Sequence, residues 1–273
     1  MTSSASLPDY EKPPVVEVVF AIKTASLPLT VVDLAKFGLD YLQEYPNKQE
    51  QPPTAMAVES FSPEEQNIAP SLALLSGVPP IRLWFQSSDR TKLVQLQRDW
   101  FAYNWQGASS ETPYPRYDNI EERFFQTWDN WTAFAKSLGF TDIPVTQCEL
   151  TYINHIVPGS VWESQGQLAK VLRIAGSADG FLAEPEDGQV MFRYRITDAG
   201  RDAGRLYVQA TPGIRPTDRS PLIQLILTAR GAPAPNNRDG MLHFFRLAHT
   251  WIVNGFASVT TEEAQEQLWE RKR

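Results

Sequence analysis

Cysteine is almost missing: the 273-residue chain has one, Cys148. A single thiol excludes an intrachain disulfide and any zinc site built from cysteines. It fits a reducing compartment. Histidine is scarce too, and two of the three, His243 and His249, lie six apart in a helical stretch, without the i,i+4 spacing of a helical metal pair. No G-x-G-x-x-G, Walker A, G-x-S-x-G or H-E-x-x-H string occurs. No metal, no cofactor and no catalytic set is therefore expected. Residues 1–9 lack the basic and apolar regions of a secretory leader. The most apolar run, 221–229, is far short of the roughly 20 residues that span a bilayer. The expectation is a soluble, cytoplasmic protein with no membrane role. Positive charge is also in deficit, with 25 Lys and Arg against 32 Asp and Glu, a net charge of −7. General attraction to nucleic acid is not expected, although a local basic face stays open.

What is present is globular: 42% apolar and 11% aromatic residues. Residues 15–23 alternate Val16, Val18, Phe20 and Ile22 with Val15, Glu17, Val19 and Ala21, so both faces are covered and a central strand is predicted. Thr30, with Asp33 three residues on, caps a helix that Pro46 stops. Residues 49–80 are rich in Pro, Gln and Ser and read as an irregular excursion. A three-strand meander over 81–86, 92–97 and 100–106 follows. In 118–138, Ile120, Phe124, Trp128, Trp131, Ala135 and Leu138 repeat at helical spacing, and Gly139 is suited to C′.

The pattern then restarts: a strand over 146–156, a helix over 161–174 weakened by Gly166, strands over 189–197, 205–210 and 222–228, and a helix over 239–258. Thr260 with Glu263 predicts a capping box for a last short helix. The predicted fold is α+β. It comprises two similar β-α-β-β-β-α halves, 1–142 and 143–273, with antiparallel sheets backed by long helices in a TATA-binding-protein-like or helix-grip-like duplication.

Several strings carry a family resemblance: residues 10–17 (YEKPPVVE), 93–105, Tyr114-Pro115-Arg116-Tyr117, 149–156 (ELTYINHI), 227–231 (LTARG) and 248–261, ending at Trp269. Together they span nearly the whole chain, which resembles a sporadically distributed, uncharacterised bacterial protein family with no assigned activity. The resemblance implies one shared architecture and supplies no catalytic roles. The family's patchy distribution points to mobile or defence-associated genes.

Among candidate site residues, His155 ends a strand on the face of Gln147, Glu149 and Thr151. It reads as an acid/base or, with more weight because no nucleophile is paired with it, as a hydrogen-bonded strand-end histidine. Arg116, between Tyr114 and Tyr117, precedes a helix N-terminus and can reach an anion there. The plainer reading is that prolines and tyrosines fix a loop. Arg193, Arg195 and Arg205 lie on adjacent strands and form either a basic face or an ordinary solvated one. Trp100, Phe101, Tyr103 and Trp105 make a base-stacking platform or, more often, a core. The leading function is a non-catalytic protein-binding or regulatory module, in a bacterial defence or toxin-control setting, whose partner is another protein or a second copy. An alternative is a small-molecule or nucleotide-binding protein, or an enzyme, with His155, Arg116, Arg230 and Asn104 converging in a cleft between the halves. A third is a nucleic-acid-binding saddle.

Overall fold

The computed structural model describes residues 6–54, 56, 58–61, 81–107, 112–176, 181–182, 184–215 and 218–272. Nine strands form one antiparallel sheet packed against helices, in the order β2-β3-β4-β5-β1-β6-β9-β8-β7. The strands are β1 (Val15–Thr24), β2 (Asn47–Gln51), β3 (Arg82–Gln86), β4 (Lys92–Gln97), β5 (Trp100–Gln106), β6 (Val145–Ile156), β7 (Val190–Asp198), β8 (Arg201–Ile214) and β9 (Pro221–Gly231). The helices are α1 (Val31–Tyr41), α2 (Tyr117–Ser137), α3 (Leu168–Val171), α4 (Arg238–Val259) and α5 (Glu262–Gln267). Among the described residues no helix is long and apolar enough to cross a membrane.

By compactness the chain forms two units, each discontinuous in sequence. The first comprises Met1–Val18, Leu150–Ala229 and Arg246–Arg273. The second comprises Val19–Glu149 and Arg230–Phe245.

In the second unit the helical stripe of α2 supplies the core. Ile120, Phe124, Trp128, Trp131 and Ala135 are all buried. Phe124 stacks on Phe20 of β1 at 5.0 Å and meets Phe245 edge-on at 5.1 Å. Phe101 meets Trp128 at 5.3 Å. Because strand side chains alternate, Phe101, Tyr103 and Trp105 share the α2 side of β5, while Trp100, Ala102 and Asn104 point the other way. There Trp100 and Ala102 pack with Ala21, Val19 and Met56. All four aromatic residues of β5 are buried. The stacking-platform reading is thereby corrected: β5 presents no open aromatic face to a base. The Thr30–Asp33 capping box is formed in both directions.

In the first unit β6 and β9 are tied by the Thr151 and Thr228 hydroxyls at 2.9 Å and by Asn154 Nδ2 donating to the Leu225 carbonyl. The β7–β8 register runs from Val190↔Ala210 to Asp198↔Arg201. Ala199 and Gly200, both at positive φ, make the two-residue turn between them. Positive φ at both central positions matches strand twist, so Asp198 and residues 201–204, left between the strands predicted from sequence, belong to β7 and β8.

Three expectations fail locally. The start of the supposed excursion is an edge strand, β2, because its amides pair with β3; residues 62–80 lie outside the described residues. The helix expected over 161–174 shrinks to the single turn α3 between short 3-10 turns. At Gly166, in the first of these turns, the Pro185 carbonyl passes where a β-carbon would be, at 1.8 Å, so only glycine fits. The cap of α5 is Thr261, whose hydroxyl accepts from the Ala264 amide, and not Thr260. Thr260 is wholly buried and its hydroxyl donates to the Phe256 carbonyl.

Candidate interaction site

Backbone N–H and C=O groups along a sheet edge can pair with another chain, so natural edges are kept short or charged. β2 ends the sheet on one side with five residues, Asn-Lys-Gln-Glu-Gln, in that protected style. β7 ends the other and pairs with β8 alone among the described strands. It is nine residues long and exposes Met191 by 65% and Phe192 and Tyr194 by 39% each. Val190, Phe192, Tyr194 and Ile196 share one face of it, and of these only Ile196 is fully buried.

On the Tyr194 side lies a cavity of about 380 Å³, between β7–β8 and α4. Tyr194, Leu206 and Val208 form its sheet wall, and Trp251 and Gly255 its helix wall. A β-carbon on Gly255 would stand 2.9 Å from Leu206 Cδ2, so glycine permits this close approach. Polar side chains of α4 at the cavity donate back to their own helix: Thr250 to the Arg246 carbonyl, Asn254 to Thr250 and Ser258 to Asn254. With those donors satisfied locally, the lining is chiefly apolar.

The other face of β7 is basic. Arg195 lies directly across from Arg205, and Arg193 across from Tyr207. Arg195 donates to Asp202 at 2.8 Å. Arg193 is exposed and has no ion pair among the described residues. The three arginines named from sequence thus lie on neighbouring positions of one hairpin.

Each of the remaining candidates has a contact of its own. His155 is half-buried on β6, and the Gln224 amide nitrogen approaches its Nε2 at 3.3 Å. An amide nitrogen only donates, so Nε2 accepts. Burial first, and then the Arg215 charge, hold the imidazole below its ordinary pKa, which keeps it neutral at pH 7. Arg230 of β9 donates through Nε to Glu149 of β6, a partly buried ion pair. Asn104 is buried and accepts from Gln95 at 2.8 Å. Arg116 sits at φ +70° before α2, makes no side-chain cap and lies over the Tyr114 ring at 6.0 Å. Tyr114 packs on Trp105, and the buried Tyr117 donates to Glu121 at 2.6 Å. Trp105 is on the α2 side of β5 and Asn104 on the other, so Asn104 and Arg116 do not share a face.

One cluster was not anticipated. The Arg82 guanidinium lies 5.5 Å from the Trp84 ring and 5.7 Å from the Trp100 ring. Arg82 Nε and both indole nitrogens are buried without an acceptor among the described residues. The Arg-x-Trp spacing of β3 signalled a shared face, but the third member, Trp100, arrives only through the β3–β4–β5 register. The Tyr194 cavity was missed for a similar reason: its walls come from two strands and a helix distant in sequence.

Among the described residues no group of three His, Cys, Asp or Glu can hold a metal. No family model, no curated protein and no solved structure matches the chain.

Proposed function

We propose that the chain is a non-catalytic, protein-binding or regulatory module that engages an extended segment of its partner along β7. The observation that supports this most is the contrast between the two sheet edges: β2 is short and charged, whereas β7 is long and bears exposed apolar side chains. Strand addition to such an edge is a common mode of peptide recognition. The contact of His155 with the Gln224 amide and the ion pairing of Arg230 with Glu149 also favour binding over chemistry. A bacterial defence or toxin-control system is the setting that the family resemblance points to. Photo-crosslinking in the native host tests the reading, with a benzophenone side chain placed at Phe192 or, as control, at Glu50 of β2. A defined protein adduct from Phe192 alone is expected; equal adducts from both sites, or none, count against it.

We further read the architecture as a duplicated, TATA-binding-protein-like one. Connectivity supports this. Outward from β1 come β5, β4 and β3; outward from β6 come β9, β8 and β7. Superposition of experimental coordinates of 15–137 on 145–259 tests it, and a failure to align the strands in that order removes it.

The Arg82 cluster favours a second reading, a small-molecule site for an acceptor-rich ligand, because three buried donors there have no acceptor among the described residues. Thermal-shift screening with nucleotides and dicarboxylates tests it. A shift that Arg82→Met abolishes is the expected result, and no shift with any of them dismisses it.

A further inference from the structure

We infer that the segment adding to β7 alternates apolar and acidic side chains, the apolar ones entering the Tyr194–Trp251 cavity and the acidic ones lying over Arg193 and Arg195. This rests on the reading of β7 as the docking edge and names the chemistry of the partner.

A strand added to an edge continues the pleat of the sheet, so its side chains fall on alternate faces beside those of β7. On one face they meet Phe192 and Tyr194 and, behind Tyr194, the apolar cavity of about 380 Å³. That volume is at the low end for a ligand pocket and suits one or two large aliphatic or aromatic side chains. Of the polar side chains on its α4 wall, Thr250 and Ser258 donate their hydroxyl protons to carbonyls of their own helix and Asn254 one of its amide protons, so the lining is chiefly apolar. On the other face the neighbours are Met191, Arg193 and Arg195, with Arg205 across from Arg195. Arg195 already donates to Asp202, whereas the exposed Arg193 has no ion pair among the described residues, so a carboxylate from an added strand gives it a counter-charge. In a chain of net charge −7 this basic stripe is a local feature.

A second copy of the chain is a poor occupant. Antiparallel pairing of β7 with itself about Tyr194 sets Arg193 of each copy against Arg195 of the other. In-register parallel pairing sets each arginine beside its own equivalent. A nucleic-acid backbone satisfies the arginines but leaves Phe192, Tyr194, the cavity and the strand's edge groups without a role. An extended protein segment uses all four features.

The test is selection of a short random-peptide phage library on the intact chain, followed by titration of the enriched peptides. The titrations use wild type, Arg193→Glu/Arg195→Glu and Tyr194→Lys. All three positions are exposed or half-exposed, and circular dichroism melts establish that the variants fold; Phe192→Ala replaces Tyr194→Lys if the latter melts early. The expected result is a consensus of Asp or Glu alternating with Leu, Ile, Val or Phe. Affinity should drop about tenfold or more in each variant, and the double charge reversal should reselect Lys or Arg at the acidic positions. A consensus without acidic residues that still needs Tyr194 overturns the partner chemistry and leaves the docking edge standing. Peptides indifferent to all the variants, or no enrichment, overturn both. A fluorescent single-stranded oligonucleotide that displaces the peptides and binds more tightly than they do, in a manner lost in Arg193→Glu/Arg195→Glu, overturns the proposal in favour of nucleic acid.

Discussion

Gly38 of α1 and Phe85 of β3 meet so closely that a β-carbon on Gly38 would fall 2.0 Å from the Phe85 ring. Both residues are buried. The glycine weakens α1 as a helix by roughly 1 kcal/mol relative to alanine, yet it lets the helix settle on the strand. Gly38→Ala is therefore expected to destabilise by about 1–2 kcal/mol, because overpacking a filled core outweighs the gain in propensity. Phe85→Leu in the same chain should recover part of the loss. Urea unfolding of the two single variants and the double variant checks this, and a Gly38→Ala protein more stable than wild type contradicts it.

Gln265 makes a larger contribution than its place in a six-residue helix suggests. Its side chain is fully buried; Nε2 donates to the Ala257 and Thr260 carbonyls and the Thr260 hydroxyl, and Oε1 accepts from Arg271 and Tyr10. Gln265→Leu keeps comparable volume but strands these groups, at an expected cost of about 2–4 kcal/mol. Thr261→Ala, which removes the cap of α5, should cost only about 1 kcal/mol. Chemical denaturation that ranks the two variants in the opposite order excludes this account.

Acid should act partly through His155. Its folded pKa lies below the unfolded value of about 6.5. Above that value the ring is neutral in both states and contributes no pH dependence. As pH falls below it, the unfolded chain takes up the proton first, so stability declines until the folded pKa is passed. From about pH 7.5 to pH 5, wild type should lose more stability than His155→Gln. Parallel loss in the two proteins removes His155 as a contributor.

Arg116 adopts φ +70° and ψ 156°, a region almost reserved for glycine. Releasing that strain competes with the extra unfolded-state entropy of glycine and the loss of the Tyr114 contact. Arg116→Gly should leave stability unchanged or raise it by up to about 1 kcal/mol, and Arg116→Val should lower it by about 1–2 kcal/mol. A thermal melt in which the glycine variant is the less stable of the two refutes the strain argument.

Elements were legible wherever one segment carried its own signal. The stripe from Ile120 to Ala135 announced α2, Thr30 with Asp33 announced the start of α1, and the two-faced cover of 15–23 announced that β1 is interior. Signals that depend on a distant partner were not. Gln49 and Gln51 look like loop residues until β3 is beside them. The need for glycine at 166 shows only once the backbone of Pro185 lies against it. Of the site, the arginine alternation on β7 could be read directly and Arg205 opposite Arg195 required only a hairpin. The cavity could not be read, because Trp251 enters it from a helix more than 40 residues along the chain.

All four boundaries between the two compact units fall inside regular elements: after Val18 in β1, Glu149 in β6, Ala229 in β9 and Phe245 in α4. A single cut anywhere between residues 19 and 244 therefore leaves each fragment holding pieces of both units. Neither unit can be expressed by trimming the termini, and a limited proteolysis ladder should yield no stable half. Dissection of this protein calls for split-fragment complementation or circular permutation in place of truncation.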